Sequence, residues 1–563
     1  MAEGLTVRKA RGAFFTPPEI TRFISDWAVR SPADSVLEPS CGEAAFLLAA
    51  GRRLGELGGA GRLHGIEIHA PSAAAAGEVL RAAGLAAAIG VSDFFDVAPA
   101  PAFDAVVGNP PYIRYQQFRG EARGKSLEAA LAAGVRLTGL ASSWAAFVIH
   151  ASQFLKPEGR LGLVLPAELL SVNYAAEVRR FLLGRFSRVR LVMFDTRVFP
   201  DVLEEVVLLL AEGSGGAGSF EVFQARDLAD LARLDTHAWT GFDLGAIDKW
   251  TPALLSQASF GVYQALCRQG AFSPLLGWGE TYLGAVTGAN GFFALTQAEV
   301  DALRLPARDL MKISPPGARH LSGLSFSEAQ WQALRESGGR CWLFYPGEGK
   351  PGAAARRHIV RGEREKVEAA YKCRVRKPWW RVPLVAAPDI ILTYMNHDRP
   401  RLVGNAAGVH IVNSVYGVSL RPHLRDLGRA LLPLAALNSV TLLGAEMVGR
   451  AYGGGLLKLE PREADTLPVP PPDALAVLAP QLEALRAPVL AALGRCDAAH
   501  AVALVDEVVL SRPLGLGTGD LQVLREARAF LFRRRVARGR PGGQGATPDV
   551  PAPAGGDEAH GPD

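Results

Sequence analysis

From Ser35 to about residue 210 the chain alternates short apolar runs with Ala- and Leu-rich amphipathic stretches, and this alternation restricts the fold more than any other feature. SVLEP, RLHGIEI, AAIGVSDFF, FDAVVGN, GRLGLVLP, RVRLVMFD and EEVVLLLAE read as strands, and 43–57, 73–83, 142–155 and 174–186 as helices. Strands separated by helices must run parallel and be joined by crossovers, so the expected fold class is α/β, a doubly wound, Rossmann-like domain with a mostly parallel sheet. Ligands in such sheets bind beyond the carboxyl ends of the strands. Glu38, Glu67, Asp93 and Asn109 all fall at or just past those ends.

Periodicity fades after the Gly/Ser run at 213–219, which sets a first unit at 1–245. Short strand-like pieces with Gly, Pro and basic clusters then predict an α+β or mainly β unit at 246–474, followed by a helical segment at 475–538. Residues 539–563 hold almost no large apolar side chain and are expected to be disordered. With 49% hydrophobic and 21% charged residues in 563, the rest of the chain has ample material for buried cores. Five scattered cysteines without a C-x-x-C pair argue against a disulfide framework and against a zinc site, and fit a reducing cytoplasm; no metal is expected. No signal-peptide core is present, and the longest apolar run, 431–448, is broken by Pro433, Asn438, Ser439 and Glu446, so no membrane span is expected.

The sharpest local signal is Asn109-Pro110-Pro111-Tyr112, directly after the strand FDAVVG. Consecutive prolines stiffen the turn, so a side-chain amide and a main-chain carbonyl can be held toward one small target. An exocyclic amine with two N–H donors is such a target: Asn109 and the Pro110 carbonyl each accept one bond, while Tyr112 offers a face to the attached ring. Upstream, Glu38-Pro39-Ser40-Cys41-Gly42 ends a strand and opens a helix, where a nucleotide-like ligand approaches main chain. Only Gly42 of a G-x-G-x-x-G pattern is present, which counts against NAD or FAD. Glu67 ends the next strand and can accept from both hydroxyls of a ribose. Asp93 can accept from an adenine amine, with Phe94 beside it to cover the ring.

In this order the residues resemble the gamma class of amino-DNA methyltransferases, S-adenosylmethionine-dependent adenine-N6 methylases of bacterial restriction–modification systems. The resemblance implies a cofactor segment at Thr16-Pro17, further cofactor contacts at Glu38, Pro39, Gly42, Glu67, Asp93 and Phe94, and catalysis at Asn109, Pro110, Pro111 and Tyr112. Phe199 is implied to stack on a flipped target base. Ala44 stands where the family often has glycine, and slightly altered loop packing is expected there. On this reading 1–245 is the catalytic domain, 246–474 the DNA target-recognition domain, and the substrate is double-stranded DNA. A cognate restriction endonuclease would be encoded separately.

Between Lys350 and Arg381 stand eleven Lys/Arg against three Glu, a local net of +8 that exceeds the +5 of the whole chain. Arg374, Arg376, Lys377, Trp379 and Trp380 are therefore expected to contact DNA. The stretches at 282–290, 410–417 and 452–459 look like recurrent segments of target-recognition domains. Only about fourteen residues precede Phe15, so no nuclease domain is expected before the cofactor motif; the E-x-K at Glu348-Gly349-Lys350 lacks a convincing P-D partner. The alternatives are an N-P-P-Y methyltransferase for RNA or a protein glutamine, and a DNA-binding specificity protein without catalysis.

Overall fold

The computed structural model describes residues 16–115, 117–194, 198, 205–233, 239–242, 249–347 and 349–538. Phe199, Glu348 and the 539–563 tail lie outside the described residues. Nine strands form the large sheet: β1 (Ser35–Glu38), β2 (Arg62–Glu67), β3 (Ala87–Val91), β4 (Phe103–Gly108), β5 (Leu155–Pro166), β6 (Arg188–Phe194), β7 (Val206–Glu212), β8 (Phe220–Ala225) and β9 (Thr240–Phe242). Their order is β3-β2-β1-β4-β5-β7-β6-β8-β9. The five strands from β3 to β5 are all parallel, whereas β7 lies antiparallel between β5 and β6. Apolar runs alone do not reveal this reversal of direction, since a strand buried on both faces reads the same either way.

The helices that position the site are α1 (Pro18–Ala28), α2 (Ala45–Glu56), α3 (Ala70–Ala82), α4 (Gly120–Ala132) and α5 (Ser143–Ser152). Side chains alternate between the two faces of the sheet, as a period of two requires. Val36, Ala105, Val107 and Val164 join Ile20, Ile24, Phe46 and Leu47 of α1 and α2 in one core. Leu37, Val106, Leu163 and Leu165 join α5 and its Trp144 in the other. The structure shortens two expected elements: the helix of 142–155 stops at Ser152 because Leu155 already belongs to β5, and Phe94–Asp96 leaves the third strand as a single 3-10 turn.

The second core does not stop at residue 245. Trp250 stacks on Phe220 of β8 at 4.4 Å, its backbone N–H donates to Leu170 O at 2.8 Å, and Leu254, Phe260 and Trp278 continue the same cluster. Beyond it the chain is α+β. A four-stranded antiparallel sheet (Gly279–Leu283, Tyr416–Leu420, Ile390–Leu392, Leu402–Gly404) and smaller sheets alternate with helices.

In the C-terminal helices, Pro472–Gly494 buries Leu475, Leu482 and Val489, a seven-residue spacing that gives one narrow seam. It is the one described helix long and apolar enough to cross a membrane by length and composition. The final helix, Thr518–Arg538, packs back onto both halves: Arg535 pairs with Glu446 at 2.8 Å, both buried, and Arg534 with Glu205 at 2.9 Å.

Candidate active site

Strand order reverses between β1 and β4: the chain runs outward through β2 and β3, then returns to the other side of β1. Helices leave the two strands on opposite faces there, opening a crevice at their carboxyl ends. Glu38 ends β1, and Asn109 follows β4 directly across it, with Ser40 Oγ donating to the Asn109 carbonyl at 3.4 Å.

The acidic half of the crevice is built by main chain. Gly42, at φ +49°, turns its N–H onto Glu67 Oε2 at 2.9 Å, and the His69 N–H reaches Oε1 at 2.9 Å. Cys41 N–H donates to Ile66 O at 3.0 Å, tying the loop to β2. Glu38 is 3% exposed and accepts from the Leu47 N–H at 3.1 Å in the first turn of α2. Burial pushes its carboxyl well above the ordinary range, helped by the nearby charge of Glu67 and opposed by the Leu47 and Phe46 N–H groups. Burial thus favours the neutral acid in the ligand-free protein, and a cation beside it would favour the carboxylate.

Asp93 caps the short turn after β3, accepting from the Phe95 N–H at 3.0 Å through Oδ1. Phe94 departs from its expected place. At 4% exposed, its ring lies among Phe147, His150 and Phe154 at centroid distances of 4.8, 4.6 and 5.2 Å, so it supports the Asp93 turn from beneath and leaves little face for a ligand. Ile68, directly after Glu67 at the end of β2, is 67% exposed. Sequence reasoning missed it because an isoleucine at a strand end looks like core.

Ala44 adopts the left-handed region, φ +63° and ψ +31°, as the cap of α2. The missing glycine is therefore a matter of backbone strain, not of loop packing as expected, because an L side chain costs about 1–2 kcal/mol there.

Across the crevice, Asn109 Nδ2 donates to Thr16 Oγ1 at 3.1 Å, while Pro17 caps α1. Thr16 thus touches the Asn109 amide. The Asn109 Oδ1 is buried and has no donor among the described residues. No donor among them reaches the Pro110 carbonyl either. Tyr112 OH donates to Val164 O on β5 at 2.7 Å, which fixes the ring.

A residue that sequence reasoning missed holds this turn in place. Ser143 Oγ donates to the Pro111 carbonyl and accepts from the Ile113 N–H at 2.9 Å, and the Ser143 N–H donates to Ile113 O at 3.1 Å. Thirty residues separate it from Ile113, and its only signal is a serine opening the helix Trp144-Ala145-Ala146-Phe147.

In the second half, 282–290 and 410–417 come together: Ala285 N–H donates to Ile411 O at 2.9 Å and Asn413 N–H to Ala285 O at 3.1 Å. The 452–459 stretch lies elsewhere, under the last helix, with Gly455 O accepting from Arg535. Arg374 and Lys377 are exposed, as are Lys350, Arg356, Arg357, Arg361, Arg364, Lys366 and Lys372. Arg376 is not part of that open surface. Its guanidinium donates to the Val286 and Thr287 carbonyls, the latter at 2.7 Å, so it braces the 282–290 segment. Trp379 and Trp380 are half-buried against the Phe292–Phe293 core, which reduces the aromatic surface expected of them.

Comparison with known proteins agrees in both halves. Residues 5–212 match the family model described as N-6 DNA Methylase, and residues 247–510 match that of the C-terminal domain of the type II methyltransferase M.Eco57I. The chain belongs to the gamma-class N-6 DNA methylases of restriction–modification systems. M.XamI of Xanthomonas campestris pv. amaranthicola is 25% identical over 82% of this methylase and 85% of its own length. M.AccI of Acinetobacter calcoaceticus is 20% identical over 64% and 68%. M.TthHB8I of Thermus thermophilus is 30% identical over 37% and 46%. The Type IIL restriction–modification enzyme MmeI, solved in complex with DNA, is similar at 10% identity and a TM-score of 0.47, over 92% of this chain and 75% of that one. The family is S-adenosylmethionine-dependent.

Proposed function

We propose that the Asn109–Tyr112 turn of this adenine-N6 DNA methyltransferase receives a flipped-out adenine, and that the crevice lined by Glu38, Gly42, Glu67, Asp93 and Ile68 holds S-adenosylmethionine. The observation that carries the reading is the Asn109 Oδ1, a buried acceptor without a donor, beside an equally unclaimed Pro110 carbonyl. Buried acceptors left unpaired cost about 1–3 kcal/mol, so the site is arranged for an incoming N–H pair. An exocyclic amine supplies two.

The donor set fits the cofactor. S-adenosylmethionine, when bound, supplies an electrophilic methyl on a cationic sulfonium, and its adenosine matches the free lone pairs of Glu67 and Asp93 and the apolar face of Ile68. The buried Glu38 answers its positive charge. On the adenine side, the N6 lone pair is delocalised into the ring and nucleophilically weak. Bonds from N6–H to Asn109 Oδ1 and Pro110 O draw the nitrogen toward a tetrahedral shape and aim its lone pair across the crevice. The new bond is N6–C, the broken bond is S–C, and one N6 proton leaves to water. Catalysis is then chiefly positioning and electrostatics, with no nucleophilic side chain required.

Adenine N6 is not accessible for this inside a stacked duplex, so the base must be extruded, and the fixed ring of Tyr112 returns stacking energy of about 1–3 kcal/mol. The exposed lysines and arginines between Lys350 and Lys377 supply the phosphate-tracking surface, and the joined 282–290 and 410–417 segments lie beside it. A separately encoded endonuclease of matching specificity completes the proposal.

Nucleoside mass spectrometry of DNA incubated with purified protein and S-adenosylmethionine tests it. N6-methyladenine is expected with the natural sequence and is lost in Asn109→Ala, with duplex binding retained. Loss of binding in step with activity contradicts the assignment of Asn109.

A further inference from the structure

In the recognition half, two segments distant in the chain dock on one turn, 285–288. The 410–417 segment holds it through main chain, with the Asn413 N–H donating to Ala285 O at 3.1 Å. The short helix Tyr371–Arg374 docks on the same turn: the Cys373 thiol donates to Thr287 O at 3.6 Å, and the Arg376 guanidinium to the Val286 and Thr287 carbonyls. A Cβ at Gly288, where φ is +81°, would start 2.8 Å from Lys372 Cβ and 3.2 Å from Cys373 Sγ, so only glycine admits this close approach.

Anchored this way, the helix leaves its other side chains in solvent. Tyr371 is 63% and Val375 62% exposed. The Val375 N–H donates to Tyr371 O at 3.4 Å, which continues the helical turn and sets the two, four residues apart, on one face. Lys372 Nζ and Arg374 Cζ lie 5.4 and 5.9 Å from the Tyr371 ring centroid. From Lys366 to Lys377 the exposed charged residues are Lys366, Lys372, Arg374 and Lys377, and the one acid, Glu368, is half-buried. The same turn also carries an amide without a partner. Asn396, Asn405 and Asn438 have both ends of their amides hydrogen-bonded, whereas Asn413 Oδ1 is buried with no donor among the described residues.

Two exposed apolar side chains also suit a protein partner, but protein interfaces are depleted in lysine, and here three lysines and an arginine accompany them. That charge fits an anionic partner. Phosphate has no use for Tyr371 and Val375, whereas bases do: thymine offers a methyl group, every base offers a π face, and a carboxamide pairs with adenine through one donor and one acceptor. We propose that the Tyr371–Val375 face, together with Asn413, reads bases of the recognition sequence, with Lys372 and Arg374 on the flanking phosphates. Rotation about χ2 lets Asn413 present either end of its amide. The inference rests on the proposed DNA path over Lys350–Lys377 and deepens it by separating base readers from phosphate contacts, which carry no sequence information.

Tyr371→Ala and Asn413→Ala in the full-length protein test it beside Arg374→Ala, with the methylated motif, the slope of log affinity against log salt and the melting temperature as readouts. The first two are each expected to relax one position of the motif, lowering the preference for the natural base by about ten- to a hundredfold, with the salt slope unchanged. Arg374→Ala is expected to reduce the slope by about one and to keep the motif. Tyr371 is exposed, so its variant decides the matter even where Asn413→Ala lowers the melting temperature. Natural stringency at every position of the motif in Tyr371→Ala and Asn413→Ala overturns the proposal. An unchanged slope in Arg374→Ala is a different failure: it moves the DNA path off Lys350–Lys377 and overturns the reading beneath the proposal.

Discussion

Removing one hydroxyl should separate positioning from stability in this enzyme. Ser143 Oγ accepts from the Ile113 N–H and donates to the Pro111 carbonyl, and Ser143 is 2% exposed. Ser143→Ala leaves one donor and one acceptor unpaired where water has little access. At about 1–3 kcal/mol for each such group, and with partial relaxation, a loss of about 2–3 kcal/mol of stability is expected. The kinetic effect has a different origin. The freed Pro111–Ile113 segment carries the Pro110 carbonyl with it, and a displacement near 1 Å costs about a hundredfold in rate when geometry is the source of catalysis. A fall in kcat of roughly ten- to a hundredfold is therefore expected, with little change in KM for S-adenosylmethionine, whose residues sit on other loops.

Ser152→Ala is the control. At the other end of α5, Ser152 is fully buried and donates to Ile149 O at 2.7 Å, so its loss should lower the melting temperature while leaving kcat within about twofold. Steady-state methylation kinetics and thermal unfolding of both variants decide the matter. A Ser143→Ala enzyme with unaltered kcat, or an equal kcat loss in Ser152→Ala, refutes the positioning argument.

Three further outcomes follow from the geometry. Burial raises the Glu38 carboxyl, so the native state holds a proton that the unfolded chain has released; ligand-free stability should fall as pH rises above the ordinary glutamate range of about 4.3. Glu38→Gln should flatten that fall and weaken cofactor binding, as thermal melts from pH 4 to 8 and calorimetry would register; an unaltered pH profile counts against it. At position 44, φ +63° makes Ala44→Gly near neutral, within about 1 kcal/mol, whereas the β-branched Ala44→Val should cost at least about 2 kcal/mol; equal melting temperatures would contradict the strained cap. In the recognition half, Arg376→Ala should lower the melting temperature by freeing the Val286 and Thr287 carbonyls, while Arg374→Ala lowers only the salt slope of DNA binding. Indistinguishable melts for the two variants would place Arg376 on the open surface after all.

What the sequence disclosed and what it hid divide along physical lines. The parallel strands from β1 to β5 were legible because hydrophobic period and helix spacing are local properties. The carboxyl-end position of Glu38, Glu67, Asp93 and Asn109 was legible for the same reason. Features set by partners distant in the chain were not. The antiparallel β7 depends on which neighbours it finds, the burial of Phe94 on Phe147, His150 and Phe154, and the bracing role of Arg376 on carbonyls about ninety residues away. Ser143 is such a case, and so is Thr16, whose hydroxyl meets Asn109 across 93 residues. A left-handed Ala44 was hidden because alanine gives no sign of positive φ.

The central claim is that the unpaired Asn109 acceptor takes the N6 amine of an adenine in DNA. Modification-sensitive sequencing of genomic DNA from a methylation-deficient host tests it most directly, with the natural gene, with the gene encoding Asn109→Ala, and without either. The account predicts N6-methyladenine confined to one short motif with the natural gene, and none in the other two. Methylation that persists in Asn109→Ala, or genomic DNA left unmodified by a purified protein that binds S-adenosylmethionine, would contradict it.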